Sequence, residues 1–222
     1  MRVVDLGCGT GVLTQELHQT LAAASTLGID SSDNMMAKSA QFAGDGVSFR
    51  LADIGTFGDG PYDLLFSNAA LHWLPDHRSL LPRLSKLIAP GGQLAVQVPA
   101  NHDHPAYVIA DEVAREAPFA DLLDGYTRGA AVLDPGEYAE LLHGLGYKDL
   151  RVGQNIYGHE LRSVDEVVQW VRGAMLTDYE RKMPAESFTA YVDRYSERLH
   201  ERLGDPRPYY FGFKRILISA RR

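Results

Sequence analysis

Asp5, Gly7, Gly9 and Gly11 fall at alternate positions in Val3-Val4-Asp5-Leu6-Gly7-Cys8-Gly9-Thr10-Gly11. Glycines at that spacing let the backbone turn tightly and meet a ligand with no Cβ in the way. The apolar run Val3–Leu6 reads as a short buried strand. Beyond the glycines, Val12-Leu13-Thr14-Gln15-Glu16-Leu17 reads as the start of an amphipathic helix. Strand, glycine loop and helix N-terminus form the first half of a nucleotide-binding α/β unit. The spacing departs from a dinucleotide fingerprint, which sets its last two glycines three apart to seat a pyrophosphate.

A second acidic residue stands at the right distance for a sugar. Asp30 closes the apolar stretch Ser25–Ile29, 19 positions after Gly11, close to the spacing at which a carboxylate accepts from ribose hydroxyls. The plainer alternative is a polar strand end. Ser31, Ser32 or Asp33 can cap the helix that follows through Met35 and Met36. The version D-x-G-x-G-x-G, with its strand before it, resembles motif I of the class I S-adenosylmethionine-dependent methyltransferases, whose ligand carries no phosphate. That resemblance implies S-adenosyl-L-methionine as cofactor, held by Asp5, Gly7, Cys8, Gly9, Gly11, Asp30, Ser31 and Met35. It also implies that Asp53, after the alternating run Val47–Leu51, reaches the adenine amine while Ile54 packs on the purine; an Asp capping the next turn is compatible with both. The stretch Ser67-Asn68-Ala69-Ala70-Leu71-His72-Trp73-Leu74-Pro75-Asp76 resembles motif IV, which lies beside the sulfonium. The resemblance makes Asn68 the expected polar contact to the amino-acid end of the cofactor or to the loop around it. His72 can serve as an acid or base or be a half-buried residue without chemistry, and Trp73 is packing beside the pocket.

These residues need a scaffold that brings strand ends together. Tyr62–Asn68 is nearly all apolar, as a central parallel strand must be. Leu80–Ile88 has helical spacing and stops at Ala89-Pro90-Gly91-Gly92, and Gln93–Val98 is the fifth strand. Strands alternating with helices predict a Rossmann-like, doubly wound, mostly parallel sheet of seven strands with helices on both faces. In such a sheet ligands bind at the C-terminal strand ends, where Gly7–Gly11, Asp30, Asp53 and Asn68 all fall. The alternation lapses from Pro99 to Asp134, with a helix over Val108–Glu116 and a loop at Tyr126-Thr127-Arg128-Gly129. His102 and His104 lack a carboxylate at ligand spacing, so the Pro99–Pro105 loop reads as a turn and substrate wall and no metal is expected. A helix over Pro135–Leu145, a strand over Asp149–Leu161, helices over Val164–Leu176 and Ser187–Leu203, and a last, antiparallel strand over Phe211–Ala220 complete the chain. The charges of the Ser187–Leu203 helix read as a solvated face.

At 222 residues the chain is expected to be one domain, with a cofactor-binding core over 1–100 and substrate-side insertions over 101–135 and 162–208, the later one a helical cap. A net charge of -7 argues against a non-specific nucleic-acid binder. The single cysteine, Cys8, leaves no internal disulfide and no cysteine-based metal site. No apolar run has transmembrane length and no leader pattern is present, so no membrane partner and a cytoplasmic location are expected.

Further blocks narrow the likeness. "GIDSSDNM", "SNAALHWLPDH", "LAVQVPAN", "YAELLHGLGYKDLRV", "IYGHEL" and "FKRILISARR" resemble the trans-aconitate 2-methyltransferase family, which methylates one carboxylate of a small tricarboxylic acid. The resemblance implies a small-molecule carboxylate partner and a methyl ester product. Such an acid needs cations, and arginine's planar fork matches a carboxylate. Arg128 and Arg215 are the expected clamps, with Tyr157, His159 and Trp170 as hydrogen-bonding and wall residues. The alternatives are a solvent-facing strand residue for Arg215 and a core anchor for Trp170. Other functional readings are a different carboxylate, such as a malonyl thioester on a carrier protein, or a non-catalytic S-adenosylmethionine-binding protein. RNA methylation fits less well, because the chain is acidic and has no N-P-P-Y type motif after its fourth strand. The resemblance also implies N-terminal helices that cover the sheet and close over the cofactor. They are missing before a strand that begins at Val3, so weak cofactor retention and reduced stability are expected. The oligomeric state is not specified by any of these patterns.

Overall fold

The computed structural model describes residues 1–173 and 175–222. Seven strands form one sheet, β1 (Arg2–Leu6), β2 (Ser25–Asp30), β3 (Val47–Leu51), β4 (Tyr62–Asn68), β5 (Ile88–Pro99), β6 (Lys148–Leu161) and β7 (Tyr209–Arg221), in the order β3-β2-β1-β4-β5-β7-β6. β1 pairs in parallel with β2 and β4, β2 with β3, and β4 with β5, while β5 and β7 run antiparallel. The expected Rossmann-like sheet with its antiparallel last strand is present. Its order reverses between β1 and β4, the point at which a doubly wound sheet opens a crevice beyond its strand ends. Val3, Val4, Asp5 and Leu6 are all buried, as a central strand covered on both faces must be.

The chain divides into two compact units, interleaved along the sequence. The first comprises 1–99, 131–155 and 215–222, the second 100–130 and 156–214. The boundary cuts β6 after Asn155 and β7 after Lys214. The first unit holds α1 (Val12–Leu21), α2 (Asp33–Ser39), α3 (His77–Ser85) and α6 (Pro135–Gly144). Its core is aliphatic, with Leu6, Ile29, Leu65, Leu81, Leu84 and Leu142 almost fully buried. The second holds α4 (Pro105–Ala114), α5 (Phe119–Leu122), α7 (Val164–Arg172), α8 (Thr177–Glu180) and α9 (Ala185–Leu203) around an aromatic core. There the buried Tyr191 and Tyr195 hydroxyls of α9 donate to the Ala110 and Ala106 carbonyls of α4 at 2.7 and 3.0 Å. Arg194 reaches Glu116, just past the end of α4, and Arg198 reaches Glu112 of α4, both at 2.9 Å. These pairs are half in solvent and contribute little.

Several boundaries differ from the sequence reading by a few residues, three of them at α3, β5 and α7. The expected Leu80–Ile88 helix runs instead from His77 to Ser85, because Asp76 caps its start by accepting from Ser79 N–H. Pro90-Gly91-Gly92 is not a terminator but an irregularity inside β5, whose register with β4 shifts between Tyr62 and Leu64. The expected Val164–Leu176 helix ends at Arg172, and α8 starts anew at Thr177; Ala174 lies outside the described residues.

Candidate active site

The glycine loop is held from behind by backbone. Gly7 and Cys8 N–H both donate to the Ile29 carbonyl, at 2.8 and 2.9 Å, which locks the end of β1 to the end of β2. Gly7 has φ +77°, and a Cβ on it would lie 2.1 Å from the Ala70 Cβ. Gly9 has φ +55° with nothing within 4 Å of a Cβ position, so the loop's crest is open. Gly11 caps α1. On that helix Val12 and Leu13 are exposed and Thr14 is fully buried, because the Thr14 hydroxyl donates to the buried Asp5 carboxylate at 2.6 Å. Burial pushes the Asp5 pKa up to about 6, with the Asp30 charge adding to it and the Thr14 bond opposing it. Cys8 is buried too, and desolvation with the two carboxylates pushes its thiol up to about 12, so it is no nucleophile at neutral pH.

Asp30 ties the loop to the next helix. Its two oxygens accept from Gly9 N–H and Ser32 N–H, each at 3.0 Å, and each keeps a second lone pair for a ligand hydroxyl. Ser32 rather than exposed Ser31 caps α2 by accepting from Met35 N–H at 3.4 Å, and Met35 is half-buried. Asp53 is exposed, with one oxygen accepting from Gly55 N–H at 2.7 Å; the turn-capping role is therefore present. Ile54 is buried beneath it, its Cδ1 3.6 Å from the Gly7 Cβ position. Arg83 of α3 donates to the carbonyls of Ile54 and Phe57, the latter at 2.7 Å, and so clamps the loop that carries Asp53.

Asn68 ends β4, half-buried and in register with Gln97 of β5. His72 and Trp73 share a short helical turn, Leu71–Trp73, with ring centroids 4.9 Å apart. His72 is half-buried and Trp73 is 45% exposed. The buried His77 supports this turn: its Nε2 lies 2.9 Å from the Leu71 carbonyl, and its Nδ1 meets the Tyr138 hydroxyl of α6. Desolvation lowers the His77 pKa, keeping the ring neutral. Sequence reasoning missed Thr14, His77 and Arg83. A hydroxyl among apolar helix residues was the one available signal, for Thr14; Arg83 acts on distant carbonyls, and His77 joins nearby Leu71 to Tyr138, 61 residues away.

The expected substrate residues fall into three groups. In the second unit His159 and Trp170 meet, centroids 4.9 Å apart, with Phe211 and Phe213 5.6 and 5.7 Å from the Trp170 ring. Tyr157 is 43% exposed on the same strand as His159. Arg128 belongs to a separate network: its N–H donates to Asp111 and to the Tyr179 hydroxyl, both at 3.2 Å, and its guanidinium lies 3.7 Å from Asp178. Arg215 stands in the first unit, on β7, where it donates to the Gln97 side-chain carbonyl at 3.3 Å. His104, read as a substrate wall, caps α4 by accepting from Ala106 N–H at 3.1 Å and meets the Tyr209 hydroxyl at 2.9 Å. Among the described residues no three His, Cys, Asp or Glu are grouped to hold a metal ion, and no helix is long and apolar enough to cross a membrane.

Residues 1–139 match a family described as a methyltransferase domain. The trans-aconitate 2-methyltransferase of Deinococcus radiodurans is 41% identical over 227 residues, covering all of this chain and 86% of that protein. The enzyme of the same name from Variovorax paradoxus is 38% identical over 90% of this chain and 78% of its own length. The chain belongs to the trans-aconitate 2-methyltransferase family. Among solved structures, the YcgJ protein from Bacillus subtilis shares the fold with a TM-score of 0.61 at 16% identity, over all of this chain and 91% of that one. As a member of this family the protein is an S-adenosylmethionine-dependent methyltransferase, and its loop fits that cofactor. The open crest over Gly9 leaves room for a ligand, while Asp30 offers acceptors beside it. A methyltransferase of this family needs no pyrophosphate cradle, which agrees with the alternate glycine spacing.

Proposed function

We propose that this methyltransferase esterifies one carboxylate of a small polycarboxylic acid, with trans-aconitate the leading candidate. One observation carries the reading: the likeness to relatives named for that reaction runs the whole chain, well past residue 139 where the general methyltransferase match stops.

When bound, S-adenosylmethionine supplies an electrophilic methyl group on a sulfonium. Gly7, Cys8, Gly9 and Gly11 hold its methionine and ribose portions, with Asp30 on the ribose hydroxyls. Asp53 takes the adenine amine, and Asn68 the amino-acid end. Asp5, Ser31, Met35 and Ile54 shape the walls of that site. A carboxylate oxygen is already anionic at neutral pH, so no general base is needed. His72 and Trp73 therefore position and exclude water rather than move a proton. Holding the oxygen in line is worth roughly 7–11 kcal/mol of the barrier. By the family resemblance, Arg128 and Arg215 are the candidates for the spectator carboxylates, and Tyr157, His159 and Trp170 the candidate wall residues.

The test is to incubate the protein with labelled S-adenosylmethionine and a panel of di- and tricarboxylates. A base-labile labelled product from the tricarboxylates supports the reading. Cofactor binding with transfer to none of the panel overturns it, and transfer only to a malonyl thioester moves the substrate class to carrier-bound acids.

A further inference from the structure

Gln97, within the LAVQVPAN block, carries a buried polar atom that no role described so far uses. It lies on β5, opposite Asn68 of β4 and Leu217 of β7 in register. Its side-chain carbonyl accepts from Arg215 Nη1 at 3.3 Å. That bond sets the amide's orientation, because the flipped form would aim an NH₂ donor at a guanidinium that has only donors. The Gln97 Nε2 atom therefore faces away from Arg215, buried and with no hydrogen-bond partner among the described residues. A buried donor left so costs free energy that any acceptor brought beside it recovers. Room is at hand: Gln97 lines a groove of about 440 Å³ with Phe66, Leu217, Arg151 and Asn155. The apolar rings and methyls suit a carbon skeleton, and Arg151 adds a cation at its edge. All of these residues lie in the first unit, which also carries the glycine loop.

We propose that Gln97 is a substrate-binding residue whose amide N–H donates to a spectator carboxylate of the acid, while its carbonyl holds Arg215 to present a charge to the same group. This rests on the carboxylate reading above. Glutamine suits the double task because one end accepts from arginine and the other donates to an anion. Glutamate would keep the arginine and repel the ligand; leucine would lose both contacts.

The experiment is calorimetric titration of trans-aconitate into the protein loaded with S-adenosylhomocysteine, for wild type, Gln97→Leu and Gln97→Glu. The expected result is an affinity about tenfold weaker for the leucine variant and about a hundredfold weaker for the glutamate variant. Affinity for S-adenosylhomocysteine should stay within twofold in both. Unchanged trans-aconitate affinity in both variants would overturn the assignment, as would an equal loss of S-adenosylhomocysteine affinity, which marks a purely structural role. Wild-type binding that depends on Gln97 without ester formation leaves this assignment standing and removes the proposed reaction. Absence of any wild-type binding removes both.

Discussion

Two loops in this protein are fastened in different proportions of main chain and side chain. The Gly7–Gly11 loop of the first unit is held mainly by main chain, with Gly7 and Cys8 N–H on the Ile29 carbonyl, and one carboxylate, Asp30, accepts from Gly9 N–H. The Tyr126–Gly129 loop of the second unit is held by side chains. There Asp111 accepts from Arg128 N–H at 3.2 Å and Gly129 N–H at 3.1 Å, and from the Tyr179 hydroxyl. In the first loop the side chains are minimal and the surface facing a ligand is backbone. In the second, one carboxylate from α4 organises the loop, and the arginine it presents already has Asp178 nearby at 3.7 Å. A backbone-held loop can serve one invariant ligand, the cofactor. A side-chain-held loop can change its ligand by changing a few residues, as a substrate site must.

The largest expected effect breaks the first loop. Gly7→Ala places a methyl 2.1 Å from the Ala70 Cβ at φ +77°, and should destabilise the protein by about 3–5 kcal/mol in urea unfolding. Gly9→Ala meets nothing and should cost only about 1 kcal/mol, while lowering cofactor affinity. Equal stability losses in the two would show that crowding behind the loop is not what holds it.

Asp111→Ala should loosen the second loop, leaving Gly129 N–H without its acceptor and Arg128 N–H with the Tyr179 hydroxyl, at a cost of about 2–3 kcal/mol. Its S-adenosylmethionine affinity should stay within about threefold, because that ligand is held by the other loop. A parallel loss of cofactor binding would erase the distinction.

The third effect depends on pH. Asp5 keeps its proton to about pH 6 in the fold against an ordinary 3.8. A raised acid binds more protons folded than unfolded between those values, so its contribution makes stability fall as pH rises from about 4 to 6 and then level off. The change is on the order of 2–3 kcal/mol. Asp5→Asn keeps an acceptor for Thr14 and should flatten that slope in urea titrations at pH 4.5 and 7. An unchanged slope would assign it to other carboxylates.

Smallest is Arg128→Ala, expected to raise KM for a tricarboxylate about tenfold, roughly 1.4 kcal/mol, with kcat nearly unchanged. Unchanged kinetics would confine Arg128 to the Asp111–Asp178 network.

Local chemistry made much of this molecule legible from residues alone. Alternate glycines after an apolar strand, an acid 19 positions on, and apolar runs broken by turn residues specify a doubly wound sheet and a cofactor loop, because each signal is local in the chain. Those boundaries that moved did so where capping competed with periodicity, as at Asp76. Tertiary structure alone decided which groups face which. That Thr14 turns inward to Asp5, that Arg83 clamps the Asp53 loop, that His77 props up the His72 turn and that Gln97 holds Arg215 are contacts spanning 6 to 118 residues. His77 alone is near in sequence to what it supports, and it reaches Tyr138, 61 residues away, to do so. Such contacts satisfy buried donors and acceptors, and which partner satisfies them depends on packing in three dimensions, not on spacing along the chain.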